Sequence, residues 1–180
     1  MRKKLIFDEH QLAVTIDRLC HQLLENHGRF EQTVIIGLQP RGIFLAASIH
    51  QRIEKILKKK ISLGFLDATF HRDDFRRREI PVKASETRID FVIEGKRVIL
   101  IDDVLYTGRT VRSAMDAMMS FGRPEKVELL VLIDRVHTRD LPIAADYVGK
   151  PVNTLESQKI LVELEEQGHK QNRIWLTTNT

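Results

Sequence analysis

One cysteine in 180 residues, Cys20, leaves no partner for an internal disulfide and fits a reducing compartment. It lies within an apolar helical pattern, where burial accounts for it better than reactivity. No apolar run approaches the roughly 18 residues that a bilayer crossing requires. Met1-Arg-Lys-Lys4 is not followed by an apolar stretch long enough for secretion. The expectation is a soluble, cytoplasmic protein with no membrane partner. A Gly-x4-Gly-Lys-Ser/Thr loop is also missing, which argues against P-loop nucleotide chemistry. Repeats, linkers and low-complexity tracts are absent as well. What remains is a chain of 42% hydrophobic content, long enough for one well-buried domain over residues 1–180 and too short for two. Its net charge of +4 favours anionic partners without choosing between small phosphates and RNA.

Buried strands alternate with amphipathic helices along the chain. Asp8-Glu-His-Gln11 reads as a capping box before a helix with Leu12, Ile16, Leu19 and Leu23 on one stripe, ended by Gly28. Thr33–Ile36 reads as a strand, Gly37–Gly42 as a turn, and a second helix carries Leu45, Ile49, Ile53 and Ile56. Ile61–Phe70 reads as a longer strand. The pattern then collapses over about residues 71–90, where a basic stretch including Arg72, Arg76, Arg77, Arg78, Lys83 and Arg88 suits either a functional lid or a solvated hairpin. Val98–Ile101 and Val127–Ile133 are further buried strands, with a helix over Val111–Phe121 between them. Lys159–Leu164 and Arg173–Thr177 read as a C-terminal hairpin. Such alternation implies an α/β fold with a mostly parallel central sheet flanked by helices.

The most informative stretch is Val98-Ile-Leu-Ile-Asp-Asp-Val-Leu-Tyr-Thr-Gly-Arg-Thr110. A strand leads to two carboxylates, Asp102 and Asp103, and then to a Thr-Gly turn opening a helix. Backbone N–H groups at a helix N-terminus bind phosphate. The carboxylates suit sugar hydroxyls, or Mg²⁺ held mostly through water. A ligand with a phosphate at one end, a diol in the middle and a metal-bound anion at the other satisfies the whole order, and phosphoribosyl diphosphate is such a ligand. A receiver-like or nucleotide-binding turn with a structural acid pair is the alternative. In Gly37-Leu-Gln-Pro-Arg-Gly42, two glycines and a proline promise an unusual backbone at a strand's C-terminal end, and Arg41 adds the charge an anion needs. A purely structural turn explains the glycines but not Arg41.

These residues resemble the thirteen-residue signature of type I phosphoribosyltransferases, in the version found in the PyrR family, whose members combine uracil phosphoribosyltransferase activity with attenuation of pyrimidine operons. Gly37–Gly42, Leu66–Asp74, Gly122-Arg-Pro124, Asp134-Arg135 and Asp146–Lys150 are similar to further blocks of that family, in the same order. The resemblance implies transfer of a phosphoribosyl group to uracil, giving UMP and pyrophosphate, with Mg²⁺ as cofactor. It assigns Pro40, Arg41, Asp102, Asp103, Val104, Leu105, Tyr106, Thr107, Gly108, Arg109 and Thr110 to phosphoribosyl diphosphate, with Arg41, Asp102 and Asp103 catalytic and the two acids nearest the metal. Arg135, Val152 and Arg72 are assigned to the base or its hood, and residues 71–90 to a mobile lid. Family members associate as homodimers or larger oligomers, and the same is expected here.

The chain departs from the family pattern in places. Pro40 stands where these proteins often have Thr. Tyr106 occupies a position held by Asp in purine-using relatives, which leans the substrate towards a pyrimidine that loses its N1 proton readily; a packed Tyr is the plainer reading. The RNA surface is reduced to Arg18, His21 and Arg139 as candidates. Asp17 replaces a Thr, Ala144 an Arg, and Arg135–Asp140 is one residue longer than the regulators' usual spacing. A hypoxanthine or guanine phosphoribosyltransferase without regulatory role, and an RNA-binding attenuation regulator with vestigial catalysis, are the two alternatives.

Overall fold

The computed structural model describes residues 2–71 and 86–178. Along the chain run β1 (Arg2–Phe7), α1 (Glu9–His27), β2 (Thr33–Leu38), α2 (Gly42–Leu57), β3 (Leu63–Leu66), β4 (Arg97–Leu105), α3 (Arg109–Met118), β5 (Lys126–Val136), β6 (Tyr147–Asn153), β7 (Gln158–Glu163) and β8 (Arg173–Thr178). Five strands form a parallel sheet in the order β3-β2-β4-β5-β6. The C-terminal hairpin is present, but it is part of a three-stranded antiparallel sheet in the order β1-β8-β7. No helix among the described residues is long and apolar enough to cross a membrane.

The central strands are hydrophobic on both faces because both faces are covered. Along β4, Ile99 and Ile101 join the core that α1, α2 and the small sheet close, whereas Val98 and Leu100 join the core beneath α3. The expected cap on α1 forms: the Gln11 N–H donates to Asp8 Oδ1 at 2.8 Å, and the Asp8 N–H donates to Gln11 Oε1 at 3.3 Å. A cap of this kind contributes about 1 kcal/mol.

Four expectations require correction. The strand read over Ile61–Phe70 is only Leu63–Leu66, and a single 3₁₀ turn occupies Thr69–His71, where Asp67 Oδ1 accepts from the Thr69 N–H at 2.8 Å. Ile56 is 49% exposed, so the apolar stripe of α2 runs from Ile53 to the half-buried Leu57 instead. The strand carrying the acid pair does not stop at Ile101 but continues to Leu105. Residues 2–7, given no element from sequence, pair with the distant β8, a long-range partnership that local pattern does not encode. Most of the lid, residues 72–85, lies outside the described residues, and Arg72 with it.

At the sheet end remote from the acid pair, His27 is almost wholly buried. Its Nε2 lies 3.2 Å from Tyr147 Oη and 3.2 Å from Glu128 Oε2, and its Nδ1 lies 3.1 Å from Thr33 Oγ1. Burial pulls the ring's pKa down, and Glu128 opposes this incompletely. A histidine with a lowered folded-state pKa binds protons more readily when the chain is unfolded. Its contribution to stability is therefore full above the ordinary value near 6.5 and is lost as pH falls through the folded pKa. The urea midpoint of the native chain is expected to drop between pH 7 and pH 5 more steeply than that of His27→Asn. Parallel pH profiles for the two chains would show that the ring is not the titrating group.

Candidate active site

Asp102 and Asp103 sit near the C-terminal end of β4, a central strand, where open α/β sheets bind ligands. The Asp103 N–H donates to Asp102 Oδ1 at 2.9 Å. Asp103 is 6% exposed, and its Oδ2 has no hydrogen-bond partner among the described residues. Burial raises the pKa of both carboxyls; at Asp102 the neighbouring Asp103 raises it further, and at both the charge of Arg41 opposes the rise. An oxygen buried without a partner beside a second carboxylate is a costly arrangement unless a ligand or cation completes it. Among the described residues no third His, Cys, Asp or Glu joins the pair to make a metal cluster. The donor set therefore suits a hard cation that takes its other ligands from water and a bound anion.

The Gly37–Gly42 loop lies against this pair. A Cβ at Gly37 would be 2.7 Å from Ala46 Cβ, and one at Gly42 would be 2.4 Å from the Ile101 carbonyl oxygen and 2.9 Å from Asp102 Cα. Only glycine lets the start of α2 approach β4 so closely, and that approach places Arg41, the residue before α2, by the acids. The Gln39–Pro40 peptide is cis. The Gln39 N–H donates to the Leu66 carbonyl at 2.9 Å, and its side chain donates to the Glu86 carbonyl, which fixes the loop between β3 and the last residues of the stretch read as a lid.

Val104 and Leu105 complete β4, and Tyr106, Thr107 and Gly108 form the turn into α3. Gly108 takes φ 90°, which its missing Cβ permits, and packs against Ile143. Arg109 opens α3 and pairs through Nε with Asp140 Oδ2 at 3.0 Å; Thr110 comes next in the first turn. The Arg135 guanidinium lies over the Tyr106 ring, 3.9 Å from its centroid. Arg135 is buried and donates to Thr154 Oγ1 at 2.9 Å and to the Leu155 and Gln158 carbonyls at 3.3 and 3.0 Å. None of these partners is a carboxylate, and burial lowers the pKa of the guanidinium. Val152 is its register neighbour across β6. The structure thus brings Arg41, the acid pair, the Thr-Gly turn, Tyr106, Arg135 and Val152 to one end of the sheet.

Two residues expected on an RNA surface are engaged in the fold. Arg18 donates to the Val148 and Gly149 carbonyls at 3.2 and 2.6 Å and to Gln22 at 3.2 Å. Arg139 turns onto the loops at the ends of β4 and β5, donating to the carbonyls of Tyr106, Arg135 and Ile143 and to Asp134. His21 is exposed, with Nδ1 2.8 Å from the Asp17 carbonyl. Asp17, read as an acid that repels phosphates, is paired with Arg52, which offsets its charge. Sequence reasoning missed the part played by Thr138 and Asp140, polar loop residues whose use depends on which turn they meet.

Residues 4–167 match the phosphoribosyl transferase domain family. The chain is 46% identical over 163 residues to the bifunctional protein PyrR of Caldicellulosiruptor bescii, covering 91% of this chain and 89% of the relative. It is 44% identical over 168 residues to that of Bacillus cereus, covering 91% and 92%. Among solved structures, a hypoxanthine-guanine phosphoribosyltransferase from Bacillus anthracis superposes with a TM-score of 0.72 at 22% identity over 97% of this chain and 98% of that one. The hypoxanthine phosphoribosyltransferase of Trypanosoma cruzi gives a TM-score of 0.72 at 16% identity over 98% and 97%. At such identities the two enzymes share the fold, and their base preference does not carry over.

Proposed function

Since the chain belongs to the phosphoribosyltransferase family, in its PyrR branch, we propose that it transfers the phosphoribosyl group of phosphoribosyl diphosphate to uracil, giving UMP and pyrophosphate. The observation that carries this reading is the acid pair on β4, with the orphaned Asp103 Oδ2, set between the Arg41 loop and the Thr107–Thr110 turn. In the reaction uracil N1 bonds to C1 of the ribose, the C1–O bond to pyrophosphate breaks, and the N1 proton departs. No nucleophilic side chain is needed, only charge neutralisation at the leaving group and a shaped, dry site.

Asp102 and Asp103 take the ribose diol, Arg41 and the Pro40 loop take the pyrophosphate, and the turn from Val104 to Thr110 takes the 5′-phosphate. Asp102 and Asp103 would hold Mg²⁺, directly or through water, and the ion would supply positive charge against that of the pyrophosphate. Arg135 and Val152 line the base side with Tyr106, and Arg72 belongs to the hood. Tyr106 supplies no carboxylate to accept a purine proton, which favours a base that ionises readily. The unit is one domain over residues 1–180, working as a homodimer or larger assembly in the cytoplasm; exposed Val14 on α1 and Met119 after α3 offer apolar surface for such association.

The family resemblance, together with relatives named as bifunctional, supports RNA binding as the second role. With Arg18 and Arg139 engaged in the fold and Ala144 uncharged, weak binding to a pyrimidine-leader hairpin is proposed. The test is product formation from phosphoribosyl diphosphate and Mg²⁺ with uracil, hypoxanthine, guanine, adenine and orotate in turn, alongside hairpin titrations at several salt concentrations. UMP is expected as the dominant product, with hairpin affinity falling steeply with salt. Faster turnover of a purine would overturn the base assignment. Tight, hairpin-selective binding at physiological salt would overturn the weak-binding reading.

A further inference from the structure

Arg139 is engaged by several groups near the Thr-Gly turn. Its Nη1 donates to the Tyr106 carbonyl at 2.7 Å and the Arg135 carbonyl at 3.0 Å, its Nε donates to the Ile143 carbonyl at 3.0 Å, and its Nη2 pairs with Asp134. Thr138 Oγ1 lies within reach of the same two carbonyls, 3.2 Å from that of Tyr106 and 2.6 Å from that of Arg135, with one hydrogen to share between them. The Asp140 and Leu141 N–H groups both donate to the Thr107 carbonyl, at 3.0 and 3.2 Å. Residues 138–141 therefore hold the carbonyls of the two residues that begin the turn. The loop reaches this position through His137, which takes φ 64° and folds the chain back at the end of β5.

Trans peptide units are planar, so in each one the C=O and the N–H point in opposite directions. Drawing the Tyr106 carbonyl towards Arg139 aims the Thr107 N–H away from the loop, and drawing the Thr107 carbonyl towards Asp140 and Leu141 does the same for the Gly108 N–H. No hydrogen-bond partner is found for either N–H among the described residues. Both stand at the N-terminus of α3, whose dipole favours an anion.

We propose that Arg139 is a positioning residue for the phosphate turn: it fixes the peptide planes of residues 106–108 so that their N–H groups converge on the terminal phosphate of the substrate. This rests on the turn being the 5′-phosphate site of the proposed reaction. Arg139 acts through the backbone and touches no reacting atom. The arrangement also accounts for the extra residue in Arg135–Asp140, since a loop that folds back through His137 turns this arginine inward.

The test uses the full-length chain and the variants Arg139→Ala, Arg139→Lys and Thr138→Ala, titrated separately with ribose 5-phosphate and with inorganic pyrophosphate. The first probe reports on the turn and the second on the Gly37–Gly42 loop. Arg139→Ala is expected to weaken ribose 5-phosphate binding roughly 10- to 100-fold, the scale of lost charge-assisted hydrogen bonds. KM for phosphoribosyl diphosphate should rise in step while pyrophosphate affinity stays within about twofold. Arg139→Lys should recover part of the loss, and Thr138→Ala should show a smaller loss of the same kind. If Arg139→Ala unfolds, Arg139→Lys and Thr138→Ala carry the comparison. Equal loss of both ligands, or loss of neither, overturns the positioning role. Failure of the native chain to bind ribose 5-phosphate, or to form a nucleotide from any base, overturns instead the reading of the turn on which the proposal stands.

Discussion

Asp103→Asn is expected to make the unliganded protein more stable and nearly inactive. Asp103 is buried, its Oδ2 is unpaired, and burial raises its pKa, Arg41 opposing without cancelling. A carboxyl whose folded-state pKa is raised costs stability once pH is above its unfolded value, and the cost is relieved as pH falls. At neutral pH the substitution removes that cost. A gain of about 1 kcal/mol raises the melting temperature by roughly 2–4 °C for a chain of this size. Turnover should fall about 10²–10³-fold if the carboxylate makes a contact that strengthens in the transition state. Calorimetry of the unliganded chain and initial rates on the same preparation check both halves. A variant that is less stable, and whose activity falls only with its folded fraction, would mark Asp103 as a structural acid.

Gly42→Ala should act in the opposite direction on stability and the same direction on activity. The added Cβ would lie 2.4 Å from the Ile101 carbonyl oxygen and 2.9 Å from Asp102 Cα, backbone atoms of a central strand that cannot rotate away. The start of α2 must therefore move off β4. Overpacking of this kind costs about 1–3 kcal/mol, and contact with rigid backbone puts this site at the upper end. Arg41 moves with the helix, away from the two carboxylates. Gly28→Ala is the control: no atom lies within 4 Å of its added Cβ, so only the strain of φ 53° is incurred, and activity should be retained. Comparable activity losses in the two variants would show that close packing at Gly42 does not position Arg41.

Much of the site is legible in the sequence because its signals are local. Strand, acids, Thr-Gly turn and helix succeed one another within thirteen residues, and a turn and a helix N-terminus are set by adjacent residues. The central parallel strands β2, β4 and β5 are legible for a related reason: apolar runs buried on both faces have no other place in a chain of this length. Strand β6 is not, because Gly149, Lys150 and Pro151 leave it no such run and part of it is exposed. The failures share a physical cause. Strand β1 exists through β8, about 170 residues away, and no local period announces such a partner. Phe65, within the run read as one strand, is hydrogen-bonded on its free side to Arg88, at the far end of the stretch read as a lid. Arg139 looked like a surface cation because its composition and loop setting allow that. Its inward course depends on the left-handed His137, a conformation that a residue's identity rarely reveals.

The alternation along β4 limits how such a chain can change over evolutionary time. Because consecutive residues from Val98 to Ile101 serve two separate cores, replacing one of them disturbs a single core by a graded amount. Adding or deleting one residue there would instead exchange the two sets wholesale and carry the neighbouring carboxylates to the wrong sides of the sheet. Drift in side-chain size is tolerable in this segment, whereas a change of length is all-or-none, so lineages of this enzyme can lengthen at the His137 loop but have no such freedom at the strand.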